Sequence, residues 1–167
     1  FLSYLLQQIK EQKIQDVLLL IGYLGAQIKD YCGDGSAWGL NITYVESPVE
    51  AETGQRLMDA SESLASHFLL MYCDNYWPMQ LDQMWAEYTA AGAPAMLTVY
   101  ANRDSYTRNN IRVDAEGAVA AYDPSRNLPD LNGVDIGYAL LSREVLDHMP
   151  QDNVSFEHAH LAITTPL

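Results

Sequence analysis

The sequence predicts an α/β fold, a doubly wound and mostly parallel sheet with helices on its faces, in a chain of 167 residues. Three observations predict it. Short apolar runs, Asp16-Val17-Leu18-Leu19-Leu20-Ile21 and Phe68-Leu69-Leu70-Met71-Tyr72-Cys73, are of strand length and too continuously apolar for a half-exposed antiparallel strand. Segments with helical spacing alternate with these runs, which is the rhythm of βαβ units. The length suits one domain with a core large enough to need no staples.

Leu2, Leu5, Leu6 and Ile9 open the chain at helical spacing. The run from Asp16 to Ile21 is the first strand, ended by Gly22, and Leu24, Ile28 and Tyr31 mark a short helix. Gly33-Asp34-Gly35 is a turn, because it follows a helix and precedes a strand, the wrong context for a dinucleotide fingerprint. Leu40 to Val45 alternates as a second strand, and Leu57, Ala60, Ser61 and Leu64 place a helix from about Gly54 to Leu64. The strand from Phe68 to Cys73 follows. Leu81, Met84, Trp85 and Tyr88 form a helical stripe before the strand Ala95 to Tyr100.

The second half changes character. Asn110 to Asp114 and Ala118 to Tyr122 flank Ala115-Glu116-Gly117 as a hairpin. Val134 to Leu141 is a further buried strand, and Ser142 caps a helix starting at Arg143. The whole is a Rossmann-like mixed sheet.

Composition excludes several classes. A formal net charge of −13 without an acidic tail is incompatible with a surface built for phosphate backbones, so no nucleic acid is expected. No segment approaches the ~20 apolar residues of a bilayer span, which points to a cytoplasmic protein without a membrane partner. Cys32 and Cys73 lack metal-ligand spacing and read as reduced thiols. His158 and His160, two residues apart, suit a strand and lack an evident third metal ligand. No Gly-x-Ser-x-Gly elbow occurs.

Asp74 ends the Phe68 strand, where ligands of parallel sheets bind. Two readings stand: a functional carboxylate, or a turn residue whose side chain caps the following backbone.

In order along the chain, Val17 to Gly25, Tyr31-Cys32-Gly33-Asp34-Gly35, Leu40 to Tyr44, Thr53-Gly54, Cys73-Asp74-Asn75-Tyr76, Val134-Asp135-Ile136-Gly137-Tyr138 and Ser142 to Leu146 resemble the sugar-1-phosphate nucleotidyltransferase family. The likeness is to the bacterial branch of mannose-1-phosphate and heptose-1-phosphate guanylyltransferases, and it covers that family's central portion. It implies the nucleotide-diphospho-sugar transferase type of fold. It also implies an enzyme forming an NDP-sugar, with GDP-sugar preferred, and pyrophosphate from an NTP and a sugar 1-phosphate.

The resemblance makes Asp74 a ligand of Mg²⁺ and a nucleotide contact. It gives nucleobase contacts to Glu52-Thr53-Gly54, although Glu52, Gln55 and Arg56 depart from the family's small residues. Asn110, Asp123, Arg126, Asp135 and Gly137 are implied on the sugar-phosphate side, with Asp135 standing where asparagine is usual. A surface ion pair is the competing reading of Asp123 and Arg126. The family's Gly-rich amino-terminal loop and second metal-binding aspartate fall outside residues 1–167, so one core domain truncated at both ends is expected. No catalytic residue is assigned within it, and the isolated chain is expected to be inactive. Apolar surface left exposed by the missing segments can drive association unrelated to biology, and whether the protein is a homo-oligomer stays open. The alternative is a non-catalytic sugar-nucleotide-binding module of the same fold.

Overall fold

The computed structural model describes residues 1–157; the His158 and His160 pair lies outside them. Along the chain run α1 (Leu2–Glu11), β1 (Asp16–Ile21), α2 (Gly25–Cys32), β2 (Asn41–Glu46), α3 (Thr53–Asp59), β3 (His67–Met71), α4 (Leu81–Ala91), β4 (Ala95–Tyr100), β5 (Ile111–Val113), β6 (Val119–Tyr122) and β7 (Val134–Ser142). The alternation of elements follows the expected α/β pattern.

The sheet itself departs from the expectation of a mostly parallel one. Among the described residues β1 and β2 form a parallel ladder, whereas β7 runs antiparallel between β3 and β4. An apolar run reports that both faces of a strand are covered and says nothing of its direction. Because β3 and β4 both oppose β7, they run the same way. β5 and β6 form the expected hairpin, with Gly117 at φ 89° in its turn.

Two helices join the ladders from opposite faces. On one face Leu6 of α1 packs with Ile42, Val17 and Leu19. From the same helix the buried Gln8 donates to the Trp77 carbonyl and accepts from the Tyr138 hydroxyl, while Gln12 Oε1 accepts from Leu81 N at 2.8 Å. These bonds tie the segment after β3 to α1. On the other face Leu57 of α3 packs with Leu20, Phe68, Leu70 and Leu141. Burial of each such leucine stabilises by roughly 2 kcal/mol. β1 and β3 thus share a core, yet their facing sides carry no ladder among the described residues.

Two other elements differ from expectation. α3 stops at Asp59 and continues only as a 3-10 turn, Ser61–Ser63. Serines form poor helix interiors, and the Asp59 carboxylate is held by the Ser47 hydroxyl and Gln55 at 2.6 and 2.7 Å. The helix expected after Ser142 is a 3-10 helix, Arg143–His148, whose first turn is capped by Ser142 Oγ accepting from Glu144 N.

Candidate functional site at the strand ends

The carboxyl ends of β1 and β3 meet the amino end of α3. Arg56 Nη1 donates to the Ile21 carbonyl at 2.8 Å, and Tyr72 lies beside Thr53. Trp77 and Tyr100 stack at 5.9 Å, bringing the end of β4 to the same rim. The start of β7 completes it. Sheet polarity therefore gathers Gly22, Thr53, Asp74, Asp135 and Gly137 on one side of the molecule.

Asp74 is exposed in the turn after β3, and its carboxylate takes part in no hydrogen bond or ion pair among the described residues. Asp130 shares this state, whereas three other turn aspartates behave differently. Asp34 accepts from Ser36 N at 2.9 Å, Asp114 from Glu116 N and Ala118 N, and Asp123 from the amides of Ser125, Asn127 and Leu128. The backbone around Asp74 is held instead by its neighbour, since Asn75 Nδ2 donates to the Ile136 carbonyl at 3.1 Å. Capping, the competing reading of Asp74, is not what its side chain does. One free carboxylate fits a hard cation such as Mg²⁺, which takes one or two protein carboxylates and fills its shell with water and phosphate oxygens. No group of three His, Cys, Asp or Glu side chains able to hold a metal is present among the described residues.

Thr53 and Gly54 lie on the rim but are engaged by the chain itself. Thr53 Oγ1 accepts from Phe156 N at 2.9 Å, and Gly54 N donates to the Val154 carbonyl at 3.1 Å. Glu52 precedes the helix as its extended N-cap, and its amide donates to Asn153 Oδ1 at 2.7 Å. Arg56 closes the end of β1: its guanidinium bonds the Ile21, Pro48 and Val49 carbonyls and covers Gly22, where any Cβ would collide with it. The bulk that departs from the family's small residues is therefore a clamp between α3 and the ends of β1 and β2.

Of the residues that the resemblance implies for the sugar phosphate, the fold brings Asn110, Asp135 and Gly137 together. Asn110 Oδ1 accepts from Asp135 N at 2.8 Å, and Asp135 Oδ1 from Gly137 N at 2.9 Å. Between Asp135 and Ala139 β7 carries more residues than the facing β4, and Gly137 at φ 76° sits in this bulge. A bulge of this kind re-aims side chains at a sheet's rim. Burial raises the Asp135 pKa, against the Gly137 amide and the Tyr122 hydroxyl, which favour the charged form.

A raised carboxyl pKa in the fold means that stability is lost as pH rises from the unfolded value, near 3.8, through the folded one. Asp135→Asn is accordingly expected to stabilise the chain by about 1 kcal/mol at neutral pH. The gain should vanish below about pH 4. Urea denaturation of both proteins at the two pH values checks this, and a gain of equal size at both would refute the charge argument.

Asp123 and Arg126 lie in a neighbouring loop and do not pair with each other. Asp123 organises its own turn, where the Ser125 hydroxyl and the Leu128 amide hold its pKa at about 2. Arg126 Nη1 donates to Thr107 Oγ1 and the Arg108 carbonyl, and Arg108 returns a bond to the Arg126 carbonyl. Both arginines line an open polar cleft of about 320 Å³.

Sequence reasoning missed Tyr72. Its ring lies on Gly137, its amide donates to the Gly137 carbonyl at 3.0 Å, and burial pushes its pKa up to about 12. Its place two residues before Asp74, on the end of a buried strand, was the available signal.

No protein-family profile matches the chain. Over 152 residues it is 26% identical to a mannose-1-phosphate guanylyltransferase of Mycobacterium tuberculosis, covering 90% of this chain and 42% of that one. The chain is related to the sugar-1-phosphate nucleotidyltransferases. A probable glucose-1-phosphate cytidylyltransferase of Bacillus subtilis is 23% identical over 86% of the chain and 63% of its own length. The chain thus spans less than two thirds of either curated relative.

Among solved structures, HddC from Yersinia pseudotuberculosis superposes with TM-score 0.77 at 17% identity, covering 94% of this chain and 69% of that protein. A second HddC structure, complexed with GMP-PN, gives 0.75. A putative glucose-1-phosphate thymidylyltransferase from Bacillus anthracis gives 0.76 at 16% identity, over 95% of this chain and 64% of that one. These likenesses establish the nucleotide-diphospho-sugar transferase type of fold for a sugar-1-phosphate nucleotidyltransferase relative whose described sheets are small and only partly parallel. No helix among the described residues is long and apolar enough to cross a membrane.

Proposed function

We propose that these residues form the core of an enzyme that joins an NTP to a sugar 1-phosphate, giving an NDP-sugar and pyrophosphate. A phosphate oxygen of the sugar phosphate attacks the α-phosphorus in line, and pyrophosphate leaves from the opposite side. The Asp74 carboxylate carries the reading, since it stands at the sheet's rim with no structural partner among the described residues. Mg²⁺ bound there supplies charge neutralisation where the two phosphates approach. Asn110, Asp135 and Gly137 hold the sugar, and Thr53, Gly54 and Glu52 border the nucleotide. GTP is the preferred nucleotide, in a cytoplasmic protein. Arg126, with Arg108 beside it, is positioned to meet a phosphate in the open cleft, while Asp123 keeps the Arg126 loop in shape.

We place the parts that grip the triphosphate outside residues 1–167. Two facts support this: the chain spans 42% and 63% of its curated relatives, and among the described residues β1 and β3 keep unpaired sides over a shared core. A parallel strand added there would end at the rim beside Asp74.

The competing reading, a binding module without turnover, rests on the resemblance: the family's Gly-rich loop and second metal-binding aspartate fall outside residues 1–167. Pyrophosphate release separates the two. A longer protein carrying the flanking segments should release pyrophosphate from one NTP with mannose or glucose 1-phosphate, and the 167-residue chain alone should release none. A longer protein that binds nucleotide yet releases none with any NTP would establish the module instead.

A further inference from the structure

The bulge in β7 and the missing side chain of Gly137 make the seat for the Tyr72 ring, because a Cβ on Gly137 would stand 2.8 Å from Tyr72 Cδ2. The hydroxyl at the end of that ring is nonetheless buried without a hydrogen-bond partner, and it is the sole side-chain nitrogen or oxygen so placed among the described residues. Thr53 stands near enough to favour the charged form of the tyrosine, yet no bond of hydrogen-bond geometry joins the two. A phenylalanine would fill the same seat without the cost of an unbonded buried hydroxyl.

Tyr72 and Asp135 share a cavity of about 10 Å³ whose other walls are Leu70, Leu97, Gly137, Ala139 and Phe156. That space holds one water-sized group, and such a group needs polar partners, which these two side chains alone among the lining residues provide. Asp135 accepts, and the tyrosine hydroxyl donates.

We propose that the Tyr72 hydroxyl and the Asp135 carboxylate together seat a single hydroxyl of the sugar 1-phosphate, which makes Tyr72 a specificity-determining residue. This rests on the nucleotidyltransferase reading and adds to it the residue that senses one position of the sugar ring. A ligand hydroxyl entering the cavity donates a hydrogen bond to the Asp135 carboxylate and accepts one from the Tyr72 hydroxyl, so both of its bonding capacities are met. An analogue lacking that hydroxyl leaves Tyr72 as unbonded as before, which is how a site built for a hydroxyl rejects the deoxy compound.

The test is Tyr72→Phe in the longer protein that carries the flanking segments. Its melting temperature should equal that of wild type or exceed it by a few degrees, since the lost hydroxyl has no hydrogen-bond partner among the described residues. Calorimetric affinity for mannose 1-phosphate or glucose 1-phosphate should fall roughly tenfold. Among the monodeoxy analogues of the sugar that binds, one should bind wild type and variant equally well, the others showing the tenfold gap. A fall in melting temperature would reveal a structural partner and overturn the proposal. So would wild-type affinity retained by the variant, with the nucleotidyltransferase reading left standing. Failure of wild type to bind either sugar 1-phosphate would remove both.

Discussion

Asp74→Asn in the longer protein is expected to abolish Mg²⁺-dependent turnover, a loss on the order of a thousandfold or more, and to leave the melting temperature unchanged. The size follows from what a bound cation contributes to a reaction between two phosphates, several kcal/mol of charge stabilisation, each 1.4 kcal/mol being about tenfold in rate. Asparagine keeps the shape and loses the negative charge that a hard cation requires. The unchanged stability follows from the structure, because the exposed Asp74 carboxylate bonds nothing among the described residues and the backbone around it is held by Asn75 and by the Tyr138 hydroxyl, which donates to the Asn75 carbonyl. Surface changes of this kind stay within about 0.5 kcal/mol. Pyrophosphate release titrated against Mg²⁺, with a thermal melt of both proteins, measures the two halves. Full turnover in the variant would remove Asp74 from the metal site, and a large fall in stability would make it a structural residue after all.

The second large effect is on stability. Gly54→Ala should destabilise the 167-residue chain by about 2–3 kcal/mol, with the midpoint of thermal unfolding lowered by roughly 5–10 °C. A Cβ at Gly54 would stand 2.6 Å from the Val154 carbonyl oxygen, a backbone atom that cannot swing aside, and 3.2 Å from Met149 Cε. Relief requires the 153–156 segment to withdraw, which breaks the Gly54 N to Val154 O bond at 3.1 Å and the Phe156 N to Thr53 Oγ1 bond at 2.9 Å. Unfolding followed without nucleotide is the informative experiment. A glycine needed only to let a nucleobase lie flat would leave the ligand-free midpoint where it was, so an undiminished midpoint would return Gly54 to a purely binding role.

Much of the site's location is legible in the order of residues. Asp74 stands out because an apolar run ends on it, and the ordered segments from Val17 to Leu146 carry the relationship that 26% identity to a guanylyltransferase bears out. Asn110, Asp135 and Gly137 are far from Asp74 in sequence, and their convergence depends on β7 lying against β3, with Met71 opposite Tyr138. The pair Asp123 and Arg126 illustrates the opposite case. Their spacing allows an ion pair, whereas the turn uses the aspartate for three backbone amides and directs the arginine toward Thr107 and Arg108.

Local pattern alone determined that this chain alternates helices with apolar strands, where those strands lie, and that Asp74 follows the end of one. These are properties of consecutive residues, set by which side chains must leave water and by where the apolar run stops. Tertiary structure decided the direction of β7, the clamp of Arg56 on the end of β1, the packing role of Gly54 and the unbonded hydroxyl of Tyr72. Each of these depends on which distant backbone lies opposite, and a strand buried on both faces reads the same whichever way its neighbour runs. Asp74 belongs to both accounts: the sequence put it after a strand, and the fold left its carboxylate without a partner among the described residues.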